Sequence, residues 1–372
     1  MTNGRRVGKR VAWAIRAAWL GGAVAGCGGA TPNTVTFAPP SAADGWRVST
    51  PRAQGTDSAR LAAAFHAVAE QPALSTVRSL LVARHGALVA EGYFGGADRT
   101  QLHDLRSVIK SVTALLVGIA IARGELPGVR VRMAAYYPRE IGGDADPALR
   151  AITLEDLLTM RAGLGWDEHA HADADPNTMY RAPSSVGWVL RHAVAEPPGR
   201  VFRYSTGNSQ LVAGVLARAT GRSGAAYAQE YLFRPLGITR ARWDAHGDGI
   251  TYGGVRLFLT ARDLAKLGQL CLQDGWWAGR QVVPAWWVRA ATRPHARAPE
   301  GPYGYAWWVR PLGYAAAGYG GQYVYVLPAD GVVVVLTADP NAGRHLGFAD
   351  VEQRILRDVV RAVRGSGAAA RR

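Results

Sequence analysis

The chain has 372 residues, 43 basic and 28 acidic, with a formal net charge of +15 and 48% hydrophobic residues. That balance excludes a disordered or fibrous chain and allows a large core, as one big domain or two intimately connected ones. Two cysteines are too few for a disulfide framework, and the arginines are dispersed without a basic run or an aromatic RNP-like strand, which argues against a nucleic-acid partner.

Residues 1–43 hold five cations (Arg5, Arg6, Lys9, Arg10, Arg16) and no acid. An apolar stretch from Val11 to Gly26, interrupted by Arg16, ends in Val24-Ala25-Gly26-Cys27. This reads as an export signal over 1–26. Small residues before a cysteine at that distance resemble the lipobox of bacterial lipoproteins, which implies a lipid on Cys27 and a membrane partner through that anchor. Gly28 rather than Asp follows the cysteine, which by the same resemblance favours an outer-membrane lipoprotein facing the periplasm. Loss of the signal would bring the net charge to +10. Residues 27–56, rich in Gly, Pro, Ser, Thr and Ala, are expected to form a flexible tether.

The folded part is expected to begin near Asp57 with a helical pattern (Leu61, Phe65, Val68). Strands at 79–83 and 88–93 flank Arg84-His85-Gly86-Ala87 as a hairpin with glycine at its turn. Further helices are expected from a capped start at Thr153 to near Gly163, from Ser209 to a stop at Gly221, and from Thr260 to Gly275. A loop is expected between Trp166 and Pro183. The last third has strand composition at 303–309, 314–318, 322–327 and 332–337, then a helix over 351–363. The pattern implies an α/β fold, with an antiparallel sheet built from both termini and flanked by helices (57–106 and 250–365). A mostly helical insertion (107–249) would lie between them, and 366–372 would be a tail.

Lysine is rare here. Only Lys9, Lys110 and Lys266 occur against 40 arginines, so Lys110 is a candidate for a task arginine cannot perform. An ammonium can lose its proton when desolvated, whereas guanidinium stays charged. Between Ser107 and Ala122, Lys110 is the only charge in an otherwise apolar segment, the mark of a buried helix. Positions three apart share a helix face, so the Lys110 amine can reach the Ser107 hydroxyl and activate it as a nucleophile. A snorkelling lysine near a helix start is the competing reading.

Such a pair needs a second group to carry the proton to the leaving group, and Tyr204, just before the helix expected at 209, is the candidate. A third part, a strand edge offering N–H groups to an oxyanion, is sought at Gly318-Tyr319-Gly320-Gly321-Gln322. The three parts in this order resemble the penicillin-recognising serine hydrolases, class C β-lactamases, D-alanyl-D-alanine peptidases and related esterases, over about residues 59–363. The wording Leu157-Leu158-Thr159-Met160, Gly163-Leu164-Gly165-Trp166-Asp167, Tyr204-Ser205 and Gly320-Gly321-Gln322 is most similar to the 6-aminohexanoate-dimer hydrolase and esterase branch. The resemblance implies a fold like that of the serine β-lactamases and D,D-peptidases. It also implies acylation of Ser107, Lys110 as base or proton relay, Tyr204 as second proton shuttle, and an oxyanion hole from the N–H groups of Ser107 and Gln322. No cofactor or metal is implied. Trp166, Tyr180, Asn208, Tyr319, Gly320 and Gly321 are the expected substrate-binding residues.

Two positions depart from the resemblance. The second β-lactamase motif is Tyr-x-Asn, but Thr206 holds its third place, with Asn208 two residues on. The third motif usually begins with Lys or His, and Tyr319 stands there. Both favour esters or small amides over penicillins and D-Ala termini, leaving a β-lactamase or D-alanyl-D-alanine carboxypeptidase as one alternative and a non-catalytic cell-wall-binding lipoprotein as another. The histidines of His169-Ala170-His171-Ala172-Asp173 lack the further histidine that a metallo-β-lactamase motif requires. The pairs at Trp276, Trp286 and Trp307 read as core or surface anchors.

Overall fold

Strands from both ends of the chain pair into one ten-stranded sheet. The computed structural model describes residues 33–166, 168 and 176–365. The export signal, Cys27, residues 169–173 and the 366–372 tail lie outside the described residues. The strands are β1 (Thr34–Thr36), β2 (Arg47–Val48), β3 (Val77–Arg84), β4 (Ala87–Tyr93), β5 (Ala296–Ala298), β6 (Gly301–Tyr303), β7 (Trp308–Arg310), β8 (Gly313–Gly318), β9 (Gln322–Leu327) and β10 (Val332–Ala338). Their order is β1-β4-β3-β10-β9-β8-β7-β6-β5, all antiparallel, with β2 lying parallel on β4. The expected mixed fold with an antiparallel sheet assembled from both termini is what forms.

The centre of the sheet is apolar on both faces, so β3, β9 and β10 read as near-continuous hydrophobic runs rather than as alternation. Val333, Val335 and Val324 face one core with the buried helices, while Val332, Val334 and Leu336 face a second core under helix α1 (Ser58–Glu70) and the C-terminal helical segment. On the first face lie α2 (Val108–Ala122), α3 (Leu154–Leu158), α4 (Thr206–Thr220) and α5 (Ala261–Leu272). Helix α5 approaches the sheet at Gly268, where a Cβ would come within 2.6 Å of Val333. The described residues from 33 to 365 fall in one compact unit across the boundaries expected at 107 and 250.

The tether reading is corrected for residues 34–48. Thr34–Thr36 pairs with β4 from Glu91 to Tyr93, and Arg47–Val48 pairs with Ala87 and Leu88. Buried Trp46 anchors the segment, its Nε1 donating to Arg262 O at 3.0 Å. Arg262 in α5 donates from Nε and Nη2 to both Glu91 oxygens (2.7 and 2.9 Å), and from Nη1 to Asp44 Oδ2 at 2.9 Å. Backbone pairing and one buried ion network thus order a stretch whose Pro, Ser and Ala content obscures the short β-branched run at Thr34–Thr36.

Element boundaries moved for local reasons. Thr153 and Asp156 form the capping box, but α3 stops at Leu158 because Met160 takes a left-handed φ of 58°. Helix α4 starts at Thr206, earlier than expected, since Ser205 caps it by accepting from Asn208 N. Its end at Gly221 (φ 66°) is the glycine C-cap read from sequence. The expected loop between Trp166 and Pro183 contains a short helix, Pro176–Arg181. Among the described residues no helix is long and apolar enough to cross a membrane.

Candidate active site

Helix α2 begins immediately after Ser107, which holds the N-cap position with helical backbone angles (φ −70°, ψ −4°) and whose hydroxyl caps nothing. A serine in that place ordinarily bonds the exposed N–H groups of the first turn. Here the hydroxyl lies instead 2.8 Å from Lys110 Nζ, which donates to it. The lysine is 2% exposed, and its amine also donates to Thr206 Oγ1 at 3.0 Å and stands 4.8 Å from the centre of the Tyr204 ring. Space for the Lys110 side-chain nitrogen comes from Gly254, where a Cβ would lie 3.2 Å from Nζ. Ser107, Lys110 and Tyr204 therefore meet, with Thr206 as a fourth member.

Tyr204 is held edge-on to buried Tyr303 and stacked on Trp308, with ring centres 6.5 and 6.0 Å away. Burial pushes the Tyr303 hydroxyl well above the ordinary phenol range, so it stays protonated. Three non-glycine residues with left-handed φ frame the first turn of α2: Arg106 (48°), Met160 (58°) and Ala306 (60°). Each such residue costs about 1–2 kcal/mol, and each is tied down by hydrogen bonds. Arg106 N donates to Asp104 Oδ1 at 3.1 Å, Met160 O accepts from Arg203 N at 2.8 Å, and Ala306 O accepts from Ser111 Oγ at 2.5 Å.

The strand edge facing the serine is Ala317-Gly318 at the end of β8. A Cβ on Gly318 would lie 3.0 Å from Ser107 N and 2.5 Å from Leu105 O, so only glycine fits this approach. The N–H groups of Ser107 and Tyr319 have no acceptor among the described residues. Gln322 lies behind that edge. It pairs with Gly318 across β8 and β9, and its buried side chain bonds both Ala338 O and Ala338 N.

A cleft of about 610 Å³ opens over Ser107. Phe202, Tyr204, Trp308, Tyr323 and Phe348 give it an aromatic wall, and Tyr319, 57% exposed, stands at its mouth stacked on His345. Its charged lining comprises Glu168, Glu300 and Arg203. Glu168 Oε1 accepts from Thr206 N, and the Arg203 guanidinium is paired with Glu196.

Other expected binding residues do not line this cleft. Trp166, 1% exposed, packs edge-on to Trp188 at 4.8 Å and against Gly207. Tyr180 packs against Tyr252 at 4.7 Å, and burial pushes its hydroxyl well above the ordinary phenol range. Asn208 is 3% exposed, with Nδ2 only 3.7 Å from Met160 Sδ and no partner for Oδ1 among the described residues. The early start of α4 accounts for that: three residues past the Ser205 cap, Asn208 points into the helix packing. Gly320 and Gly321 turn the chain beneath Tyr319.

Sequence reasoning missed Thr206, Gly318, His345 and the aromatic wall. Thr206 was visible as the third place of the Tyr-x-Asn motif, and a hydroxyl there can meet an amine. The run Ala315-Ala316-Ala317-Gly318 was visible as a strand with almost no side-chain bulk. Nothing local marked His345 or Phe348, which arrive from the far side of β10. Of the tryptophan pairs, Trp287 packs over Gly118 and donates to Ala114 O at 2.9 Å, Trp307 is core, and Trp308 reaches the cleft. Among the described residues no group of three or more His, Cys, Asp and Glu is placed to hold a metal.

Residues 61–351 match the sequence model of the family described as Beta-lactamase. The chain is similar to the 6-aminohexanoate-dimer hydrolase of Paenarthrobacter ureafaciens, with 27% identity over 320 residues covering 77% of this chain and 78% of that one. Its fold is similar to that of a Bacillus anthracis protein provisionally named as a 6-aminohexanoate-dimer hydrolase (21% identity, TM-score 0.67, covering 79% and 80% of the two chains). A family VIII carboxylesterase has the same fold at 16% identity and a TM-score of 0.65, covering 82% of this chain and 97% of that one. The chain belongs to the Beta-lactamase family and is a serine hydrolase.

Proposed function

We propose that this enzyme hydrolyses carboxylic esters or small amides through an acyl-enzyme on Ser107. The observation that carries the reading is the Ser107 hydroxyl, uncommitted to capping and 2.8 Å from a buried lysine amine, in a cleft shared with Tyr319, whose N–H, like that of Ser107, has no acceptor among the described residues. Ser107 Oγ attacks the carbonyl carbon and passes its proton to Lys110. The carbonyl oxygen becomes an oxyanion, received by the N–H groups of Ser107 and Tyr319. Tyr319 replaces Gln322 in this role because its amide follows the strand edge that touches Ser107. Tyr204, over the amine, relays the proton to the departing alcohol or amine. Water then attacks the acyl-enzyme with the proton path reversed, releasing the acid and restoring Ser107.

The cleft favours uncharged substrates. Aromatic rings wall it, Ala317 and Gly318 occupy the strand edge, and the Arg203 guanidinium is already paired. Glu168 and Glu300 add negative charge to the lining, which repels an anionic substrate carboxylate. This ranks esters above penicillins and D-Ala-terminated peptides, and the family membership with Ser107, Lys110 and Tyr204 together sets aside a non-catalytic wall-binding role.

A fluorophosphonate probe should label the wild type and not Ser107→Ala, and equal labelling of both would overturn the assignment. In parallel, p-nitrophenyl butyrate should turn over faster than a cephalosporin or an aminohexanoate dimer. Faster cephalosporin hydrolysis would reverse the substrate ranking.

A further inference from the structure

We propose that His345 is a positioning residue for the oxyanion-binding turn, its Nδ1 fixing the peptide that follows Tyr319 so that the Tyr319 N–H keeps its aim at the reacting carbonyl. This inference rests on the acyl-enzyme reading above and adds the group that makes its oxyanion site rigid.

The turn from Tyr319 to Gly321 has little stiffness of its own. Gly320 (φ 85°) and Gly321 (φ 112°) sit in the left-handed region, where glycine is needed and where its missing side chain leaves the backbone loose. Oxyanion stabilisation depends on donors that are held in place before charge develops. Two contacts from a single side chain supply that restraint. Gly320 N donates to His345 Nδ1 at 3.0 Å, and the imidazole stacks on the Tyr319 ring with centres 5.1 Å apart and planes 17° from parallel. The residue whose N–H is used is thus gripped at its side chain and at the next peptide. Pro340 closes the other side, since a Cβ on Gly320 would come within 2.6 Å of it.

His345 is itself anchored. Its neighbour Leu346 is buried, and Leu346 O accepts from Tyr323 Oη at 2.8 Å. Tyr323 belongs to the cleft wall, so wall and turn are tied through one loop. Accepting at Nδ1 assigns the ring the tautomer with its proton on Nε2.

Two reciprocal substitutions separate the acceptor from the ring. His345→Phe keeps an aromatic face for Tyr319 and loses the acceptor, whereas His345→Asn places Oδ1 close to the former Nδ1 and loses the ring. The Phe variant should lower kcat on p-nitrophenyl butyrate by about 10- to 100-fold with KM little changed, below the full loss of an oxyanion donor. Fluorophosphonate labelling of Ser107 should slow in proportion. The Asn variant should recover most of both rates. Wild-type rates in the Phe variant, or an Asn variant as slow as Phe, would overturn the role of the acceptor. Absence of Ser107 labelling in the wild type would instead remove the acyl-enzyme reading beneath it.

Discussion

Two lysines are buried among the described residues, and their surroundings differ in one respect that separates chemistry from structure. Lys266 on α5, fully buried, ion-pairs with Asp263 at 2.8 Å and donates to Gly237 O at 3.3 Å. Lys110 on α2 is 2% exposed, yet its amine meets two hydroxyls and an aromatic ring, with no carboxylate partner among the described residues. A paired carboxylate keeps an ammonium charged, whereas hydroxyls can exchange protons with an amine. Scarcity and burial describe both lysines, so neither property alone identifies a reactive one. The partners do.

Substitution can break that contrast. Lys110→Arg retains charge but offers no group that can take up a proton, and kcat should fall about 10²- to 10⁴-fold. Steady-state turnover within a few fold of wild type would remove Lys110 as proton acceptor. Lys266→Met should act on stability instead, by about 3–5 kcal/mol, because it strands Asp263. Denaturant melts should record that loss while kcat per folded molecule is retained. A Lys266 variant that folds normally but cannot turn over would erase the distinction.

His103 sharpens the comparison as a third buried base, paired backbone to backbone with Leu259 and with Nε2 unpartnered among the described residues. Burial, helped by the Arg78 charge and opposed by Asp98, holds it down to about 4. The unfolded chain therefore takes up this proton first as pH falls. Stability from this group is complete above about 6.5 and lost as pH drops toward 4, a span corresponding to about 3 kcal/mol. Urea melts at pH 7 and 4.5 should show a smaller acid loss in His103→Leu than in wild type. Equal losses would mean that burial without a partner does not neutralise this base.

The parts of the site that could be read from sequence are those set by local geometry. Ser107 and Lys110 meet because positions three apart on a helix face must, and Tyr204 was found beside its helix start. Gly318 reaches Ser107 only through the sheet's register, and His345 reaches Gly320 only after β10 has crossed the fold. Trp166 shows the opposite failure. A large aromatic in a loop suggested a substrate wall, but Gly207 offers it a slot in the core, and that packing is invisible until α4 is placed. The sheet was legible where four valines run together at 332–335 and was missed at 34–36, where a β-branched run of only three residues sits in a Pro- and Ser-rich stretch.

That short N-terminal pairing sets a practical limit on where the protein can be cut. A chain started at residue 57, the beginning suggested by hydrophobic pattern, would expose β4 as a bare rim of N–H and C=O groups beside the longest hairpin of the sheet. Bare rims recruit other strands. The same cut would take Asp44 from Arg262 and leave Glu91 as its sole carboxylate partner among the described residues. Recombinant forms intended to stay monodisperse should begin before Thr34, and any tag or lipid placed upstream needs its slack ahead of that point.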